Sequence, residues 1–162
     1  MASGSSNADA HSVHLCSFNM HGYNQGAVML QELCLSHDVI FCQEHWLHSD
    51  ALIKLKNIAS DFYCIALSAM DDVCGRGVYR GRPFGGLVIL IRNSVGSYTC
   101  LWQSDRVLIV RVGNCVLINV YFPVFSYSSS YDDEVASMIS IIETVLAEHS
   151  ECTVIYLVVI ST

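Results

Sequence analysis

Three polar residues stand directly after apolar segments, where a sheet would present reactive groups. Asn19 follows HLCSF, Glu44 follows VIFCQ, and Tyr121 follows VLINV. Open α/β sheets place their sites in the crevice at strand ends, so these side chains are candidates for one site. A carboxylate and a carboxamide are hard oxygen donors of the kind that Mg²⁺ prefers. Each residue taken alone is more often an ordinary polar residue at a strand edge.

The segments that must position these residues alternate between extended and helical patterns. Strands are predicted at residues 13–18, 38–44, 61–68, 85–93, 96–104, 106–113, 115–123 and 152–160. Helices are predicted at residues 24–37, 49–60 and 133–150. Ser49 and Asp50 are the predicted cap of the second helix. Loops are predicted at 69–84 and 124–133, and short turns make the strands between 96 and 123 an antiparallel meander. This order predicts a mixed α/β (α+β) sandwich.

Composition supports one folded domain. The 162 residues are 52% hydrophobic and 14% charged, with a mean hydropathy of +0.43, which excludes a disordered chain and suits strands that are buried on both faces. No apolar segment approaches the length of a membrane span, so no membrane contact is expected. Residues 1–12 resemble a disordered tail without the features of a signal peptide, which predicts an intracellular protein, nuclear or cytoplasmic and not secreted. The eight cysteines form no CxxC pair and are expected to be reduced thiols.

Charge argues against a nucleic-acid partner. Eight basic and fifteen acidic residues give a net charge of −7, the wrong sign for affinity based on phosphate neutralisation. The one basic cluster in the sequence is Arg76, Arg80 and Arg82, in the loop RGVYRGR. A contact with a phosphate backbone and an ordinary solvated loop are equally good interpretations of this cluster.

The segment CQEHWLH raises the question of a zinc site. Cys42, His45 and His48 lie close together in the sequence, and His37 is near them. A structural zinc site needs four ligands at ordered spacing, and Cys42 fits better as a buried strand residue. We therefore expect no zinc there.

Four segments in order carry a resemblance. SFNMHG, LCLSHDVIFCQEHWL, GRPFGGLVILIRNS and LINVYFP resemble the motifs of the endonuclease/exonuclease/phosphatase family. They are most similar to those of the apurinic-type endonuclease domains of non-LTR retrotransposons. The resemblance covers residues 13–162. It implies a four-layer α/β sandwich with a mixed sheet and flanking helices, Mg²⁺-dependent phosphodiester hydrolysis (with Mn²⁺ as an alternative ion), and DNA as a partner.

The resemblance also assigns roles to the three polar residues. Glu44 matches the metal-binding glutamate of the family, and Asn19 matches the asparagine that supports the metal and phosphate site. Tyr121 matches the tyrosine whose hydroxyl approaches the scissile phosphate. In the family the metal polarises the phosphate. An Asp from the motif GDFN and a later His–Asp pair activate the attacking water.

The end of the sequence departs from the family pattern. Val158, Val159, Ile160 and Ser161 stand where the resemblance puts GDFN, and the chain ends at Thr162. The expectation is therefore an N-terminal part of the domain at 13–162, an incomplete sandwich and an inactive truncated copy. Weak or absent Mg²⁺ binding and self-association through uncovered apolar surface are expected with it. Two alternatives stay open: a phosphatase of small phosphoesters or inositol lipids with the same fold, and a non-catalytic interaction module.

Overall fold

The computed structural model describes residues 12–70, 84–125 and 127–160, with residues 156–160 described by their backbone alone. The predicted tail, apart from Ser12, lies outside the described residues. The same is true of the cluster Arg76, Arg80 and Arg82, and of Ser161.

Strands and helices follow the predicted order along the chain. The strands are β1 Leu15–Asn19, β2 Val39–Gln43, β3 Phe62–Leu67, β4 Leu87–Arg92, β5 Tyr98–Gln103, β6 Val107–Val112, β7 Cys115–Phe122 and β8 Thr153–Ile160. The helices are α1 Tyr23–Ser36, α2 Ile53–Ile58 and α3 Ser129–Glu148, and a 3-10 turn spans Ser49–Ala51. None of the helices in the described parts is long and apolar enough to cross a membrane.

The strands form two four-stranded sheets. The first has the order β1-β2-β4-β3, and the second has the order β5-β6-β7-β8. The pairs β1–β2 and β7–β8 are parallel, and the other pairs are antiparallel. The antiparallel pairing of β5, β6 and β7 confirms the predicted meander.

Three apolar clusters stack these elements into four layers. One lies between the two sheets and includes Phe41, Ile89 and Leu108. A second joins the outer face of the first sheet to α1 and α2, and a third joins the outer face of the second sheet to α3. Strands such as β2 are buried along their whole length because both faces are covered. The predicted four-layer α/β sandwich is confirmed.

Two helix starts differ from the sequence prediction. The helix predicted at 49–60 is a 3-10 turn followed by α2, and the residue before α2 is Leu52, which makes no side-chain capping bond. The cap predicted at Ser49 and Asp50 is therefore wrong for α2. Helix α3 begins at Ser129, inside the predicted loop, because the Ser128 side chain accepts a hydrogen bond from the Tyr131 amide and caps the helix.

Candidate functional site

Parallel pairing brings the ends of β1 and β2 to the same edge of the first sheet. Asn19, the last residue of β1, is paired with Gln43, the last residue of β2, and Glu44 follows directly. Tyr121 comes from β7 of the opposite sheet and is buried in the core between the sheets. The site therefore contains residues from both layers of the sandwich.

The three predicted residues meet at one carboxylate oxygen. Asn19 Nδ2 donates a hydrogen bond of 3.0 Å to Glu44 Oε1, and the Tyr121 hydroxyl donates one of 2.7 Å to the same atom. The Glu44 side chain is only 15% exposed, so these bonds are shielded from water. Two donors from two different sheets therefore fix the orientation of this carboxylate.

The second oxygen of Glu44 takes no part in this pair of bonds. Its Oε2 atom lies 3.8 Å from Nδ1 of His21, whose side chain is exposed. The Asn19 amide oxygen accepts a hydrogen bond of 3.0 Å from the His21 N–H and keeps a second lone pair. One carboxylate oxygen and one carboxamide oxygen thus remain as donors for a hard divalent cation, and the donor set fits Mg²⁺.

An unusual backbone supports the site. His21, Glu44 and Trp46 have φ values of 47°, 58° and 57°, in the left-handed region that costs a side-chain-bearing residue about 1 kcal/mol or more. Backbone hydrogen bonds hold the segment there: the Gly22 N–H donates to the Glu44 carbonyl at 2.7 Å, and the Glu44 N–H donates to the Gly86 carbonyl at 2.9 Å. The strained segment is thus held from both sides.

Gly86 is required for this close approach. A Cβ atom at Gly86 would collide with the imidazole of His45, and the φ of Gly86 is +94°. The motif GG before β4 therefore lets the start of that strand pass directly beside the end of β2.

His45 is a buried support of the site. Its Nε2–H donates to the Leu67 carbonyl at 2.9 Å, and its Nδ1 accepts a bond of 3.0 Å from the Leu47 N–H, which fixes a neutral tautomer. Burial lowers the pKa of His45 to about 4 from its usual value of 6.5. With both ring nitrogens engaged by backbone, His45 shapes the segment behind Glu44, and the expectation that it is not a zinc ligand is consistent with this geometry.

A buried polar network below the site was missed in the sequence. Gln43 Nε2 donates to Asn119 Oδ1 at 2.8 Å. Asn119 Nδ2 donates to the carbonyls of Cys42 and Val88, at 3.0 and 2.9 Å. Gln43 and Asn119 are both fully buried, so this network links the two sheets directly beneath Glu44. The signal in the sequence was one polar residue inside each of two apolar strands.

Among the described residues, one group of three His, Cys, Asp or Glu side chains has its donor atoms close together, and it contains none of Cys42, His45, His48 and His37. That group is His149, Glu151 and Cys152. Cys42 lies inside buried β2, and His37 lies before β2, at the end of the strand away from Glu44. The seven described cysteines form no disulfide with one another.

Comparison with known proteins gives structural matches alone. The sequence matches no protein-family model and no curated protein. The structure is similar to the 3′ phosphatase NExo from Neisseria bound to a product DNA hairpin, with a TM-score of 0.60, 16% identity, and coverage of 87% of this chain and 54% of that one. It is also similar to the 3′-5′ exonuclease NExo from Neisseria meningitidis, with a TM-score of 0.59, 14% identity, and coverage of 85% and 53%.

An AP endonuclease from Archaeoglobus fulgidus matches with a TM-score of 0.59 and 12% identity, over 85% of this chain and 52% of that one. At such identities the likeness concerns the fold. The chain spans about half the length of these solved structures. It has the two-sheet α/β fold of the endonuclease/exonuclease/phosphatase type that they share.

Proposed function

We propose that this chain carries the metal-binding half of a Mg²⁺-dependent phosphodiester hydrolase that acts on DNA, of the retroelement endonuclease type. The observation that carries the proposal is the Glu44 carboxylate, whose Oε1 is fixed by donors from both sheets while Oε2 lies 3.8 Å from Nδ1 of the exposed His21. The similar solved structures are described as a 3′ phosphatase with a DNA hairpin, an exonuclease and an AP endonuclease, which supports this reaction class. The motif resemblance supports the retroelement type.

Each residue of the site has its own proposed role. Glu44 Oε2, with Asn19 Oδ1, would hold the ion, and Asn19 Nδ2 orients the carboxylate. A bound Mg²⁺ supplies charge that stabilises a phosphate and its leaving oxygen. The Tyr121 hydroxyl donates its one proton to Glu44 Oε1, and it would have to redirect that proton to donate to a phosphate oxygen.

Activation of water is the part that these residues do not provide. In the resemblance this task belongs to the Asp of GDFN, and Val159 stands at that position. A valine side chain neither accepts a proton nor binds a metal. We therefore infer that residues 1–162 by themselves bind Mg²⁺ weakly and do not hydrolyse DNA.

The test separates metal binding from hydrolysis. Mn²⁺ is titrated into the full chain and followed by electron paramagnetic resonance, beside Glu44→Gln and the exposed control Glu148→Gln. We expect weak binding that is lost in Glu44→Gln and kept in Glu148→Gln. Equal binding by the wild type and Glu44→Gln would overturn the metal assignment.

Nicking of supercoiled plasmid in Mg²⁺, with an EDTA control, tests the catalytic part. We expect no nicking by a chain that circular dichroism shows to be folded. Nicking that requires Glu44 would contradict the inference that water activation is missing.

The charge of −7 favours a second candidate, a phosphatase of small phosphoesters or inositol lipids. Under the DNA proposal Arg76, Arg80 and Arg82 contact the phosphate backbone, so replacing all three with alanine should weaken DNA binding and reduce its salt dependence. Unchanged DNA binding would favour the small substrate. Absence of metal, DNA and phosphoester binding would favour a non-catalytic interaction module.

We also propose that the chain associates with a second copy of itself. Among the described strands β1 and β8 are each one of the two edge strands of their sheet, and both border an apolar cleft of about 240 Å³. We define the apolar cleft by its lining residues Val13, Leu15, Val39, Val95, Val112, Gly113, Cys115, Leu117 and Ile155. Open edges and apolar surface together favour pairing with a second copy. Light scattering should show a dimer that Leu15→Lys dissociates, and a monomer at all concentrations would exclude it.

The free thiols support an intracellular location, nuclear or cytoplasmic. All seven described cysteines are unpaired with one another, as is usual in a reducing compartment.

A further inference from the structure

A second group of metal-ligand side chains lies on the turn between α3 and β8. His149 follows the last residue of α3, and Cys152 precedes the first residue of β8. A ring nitrogen of His149, a carboxylate oxygen of Glu151 and the Cys152 sulfur all lie within 4.8 Å of one another. The Cys152 thiol donates to Glu151 Oε1 at 3.6 Å. Three different donor atoms thus meet within four residues.

The backbone of this turn is already fixed. The Cys152 N–H donates to the His149 carbonyl at 3.0 Å, and the Thr153 N–H donates to the Asn114 carbonyl at 2.8 Å. Asn114 Nδ2 also reaches the Glu151 carbonyl, at 3.5 Å. The turn is therefore tied to the start of β7, and a bound ion would order side chains without having to order the main chain.

The combination of donors selects the class of ion. We propose that His149, Glu151 and Cys152 form a Zn²⁺ site on the α3–β8 turn. Nitrogen, oxygen and thiolate sulfur suit a borderline-soft ion, whereas Mg²⁺ takes oxygen ligands. Zinc bonds of about 2.0 to 2.3 Å require the donors to close by roughly 1 Å, which side-chain rotation can supply. Glu151 is exposed, so the fourth position faces solvent and takes a water molecule.

One nearby cation opposes the ion. Arg111 Nη1 lies 3.8 Å from Glu151 Oε1, and the Arg111 Nε–H donates to the Gly113 carbonyl at 2.9 Å. The guanidinium competes with zinc for the same carboxylate oxygen. Arg111→Gln should therefore bind zinc more tightly than the wild type, by about threefold to tenfold for a partly exposed pair.

This site is independent of Glu44. In the parallel pair β7–β8, Thr153 is opposite Cys115, and Val159 is opposite Tyr121. Six residues along a strand correspond to about 20 Å. A zinc ion on the turn would fix the junction of α3 with β8, and its presence does not rest on the proposed hydrolase function.

The experiment uses the full 162-residue chain without a tag, stripped of metal under reducing conditions. Co²⁺ is titrated as a spectroscopic substitute for Zn²⁺, and thiolate coordination appears as a ligand-to-metal charge-transfer band in the near ultraviolet. We expect one equivalent of Co²⁺, displaced by one equivalent of Zn²⁺. The band should be absent in Cys152→Ser and retained in Cys100→Ser, whose thiol is exposed on β5, and in Glu44→Gln.

One further variant, examined by two measurements, keeps the result decisive. Glu151→Gln keeps the thiol and should weaken Zn²⁺ binding at least about tenfold in calorimetry. Zn²⁺ should also raise the thermal midpoint of the wild type and not that of Glu151→Gln. A charge-transfer band that persists in Cys152→Ser, or no band in the wild type, would overturn the proposal. So would a Zn²⁺ affinity that is unchanged by Glu151→Gln.

Discussion

The two ends of the sandwich are built on opposite principles. At the carboxyl ends of β1 and β2, Glu44 is held by Asn19 and Tyr121, and buried polar groups bridge the sheets. At the other end the same two sheets border the apolar cleft of about 240 Å³, lined mainly by aliphatic side chains. One end is fixed by directional bonds, and the other leaves space that packing has not filled.

This difference predicts how each end responds to change. A buried hydrogen-bond network is expensive to leave incomplete, because each group that loses its partner keeps its full cost of desolvation. A substitution beside an apolar cleft costs only the burial free energy of the apolar area that it removes. Substitutions at the site end should therefore cost more free energy of unfolding than substitutions of similar size around the cleft.

The largest effect should come from Asn119→Leu. This change removes three hydrogen bonds and leaves Gln43 Nε2 without its acceptor in a fully buried position. We expect a loss of about 3 to 5 kcal/mol in the free energy of unfolding. Urea unfolding followed by circular dichroism measures it, with Asn93→Ala on the exposed turn after β4 as the control. A loss below about 1 kcal/mol would mean that the network does not hold the sheets together.

The second prediction concerns pH and His45. The pKa of His45 is lowered to about 4 in the folded chain by burial, from 6.5. Between these two values the unfolded state binds a proton that the folded state does not, so stability falls as the pH falls through this window and levels off below it. A shift of this size corresponds to about 3 kcal/mol.

Urea unfolding at a series of pH values between 7.5 and 4, in EDTA, measures this dependence. His45→Gln offers a nitrogen donor to Leu67 and an oxygen acceptor to Leu47 without titrating. It should have a flatter profile over this range. The same slope in both proteins would assign the acid sensitivity to other groups.

The same contrast explains what the sequence could reveal. Asn19, Glu44 and Tyr121 were predicted as one site because each follows an apolar strand and matches an ordered motif, and the structure does bring them together. Gln43 and Asn119 were not predicted, because they are 76 residues apart and meet only across the two sheets. Local periodicity describes one strand at a time, and it cannot show which polar residue in one sheet faces which in the other.

Helix boundaries show the same limit at short range. The apolar pattern of 133–150 located α3 correctly but missed its first turn, since that turn is set by the Ser128 cap and carries polar residues. The His149–Glu151–Cys152 group was also not predicted. It is identified by the short distances between its donor atoms, which the turn creates.

A smaller effect is expected for Tyr121→Phe. It removes one of the two bonds to Glu44 Oε1 and leaves the one from Asn19. The loss should be about 1 to 2 kcal/mol in stability, together with weaker Mn²⁺ binding, since the carboxylate is then free to rotate. The control is Tyr127→Phe, whose ring is fully exposed. Unchanged Mn²⁺ affinity in Tyr121→Phe would mean that Asn19 alone orients Glu44.

The smallest effect should be a gain at the opposite end. Val95→Ile adds one methylene beside the apolar cleft and should stabilise the fold by about 0.5 kcal/mol, because there is space to receive it. The matched change Val88→Ile in fully buried β4 should instead cost about 1 kcal/mol or more. Thermal unfolding of both variants compares a site with room and one without it. If both changes were destabilising, the cleft would be too rigid to accept a methylene. If both were neutral, the fully buried strand β4 would accept an added methylene without loss of stability. The difference between the two ends would then come from hydrogen bonds alone.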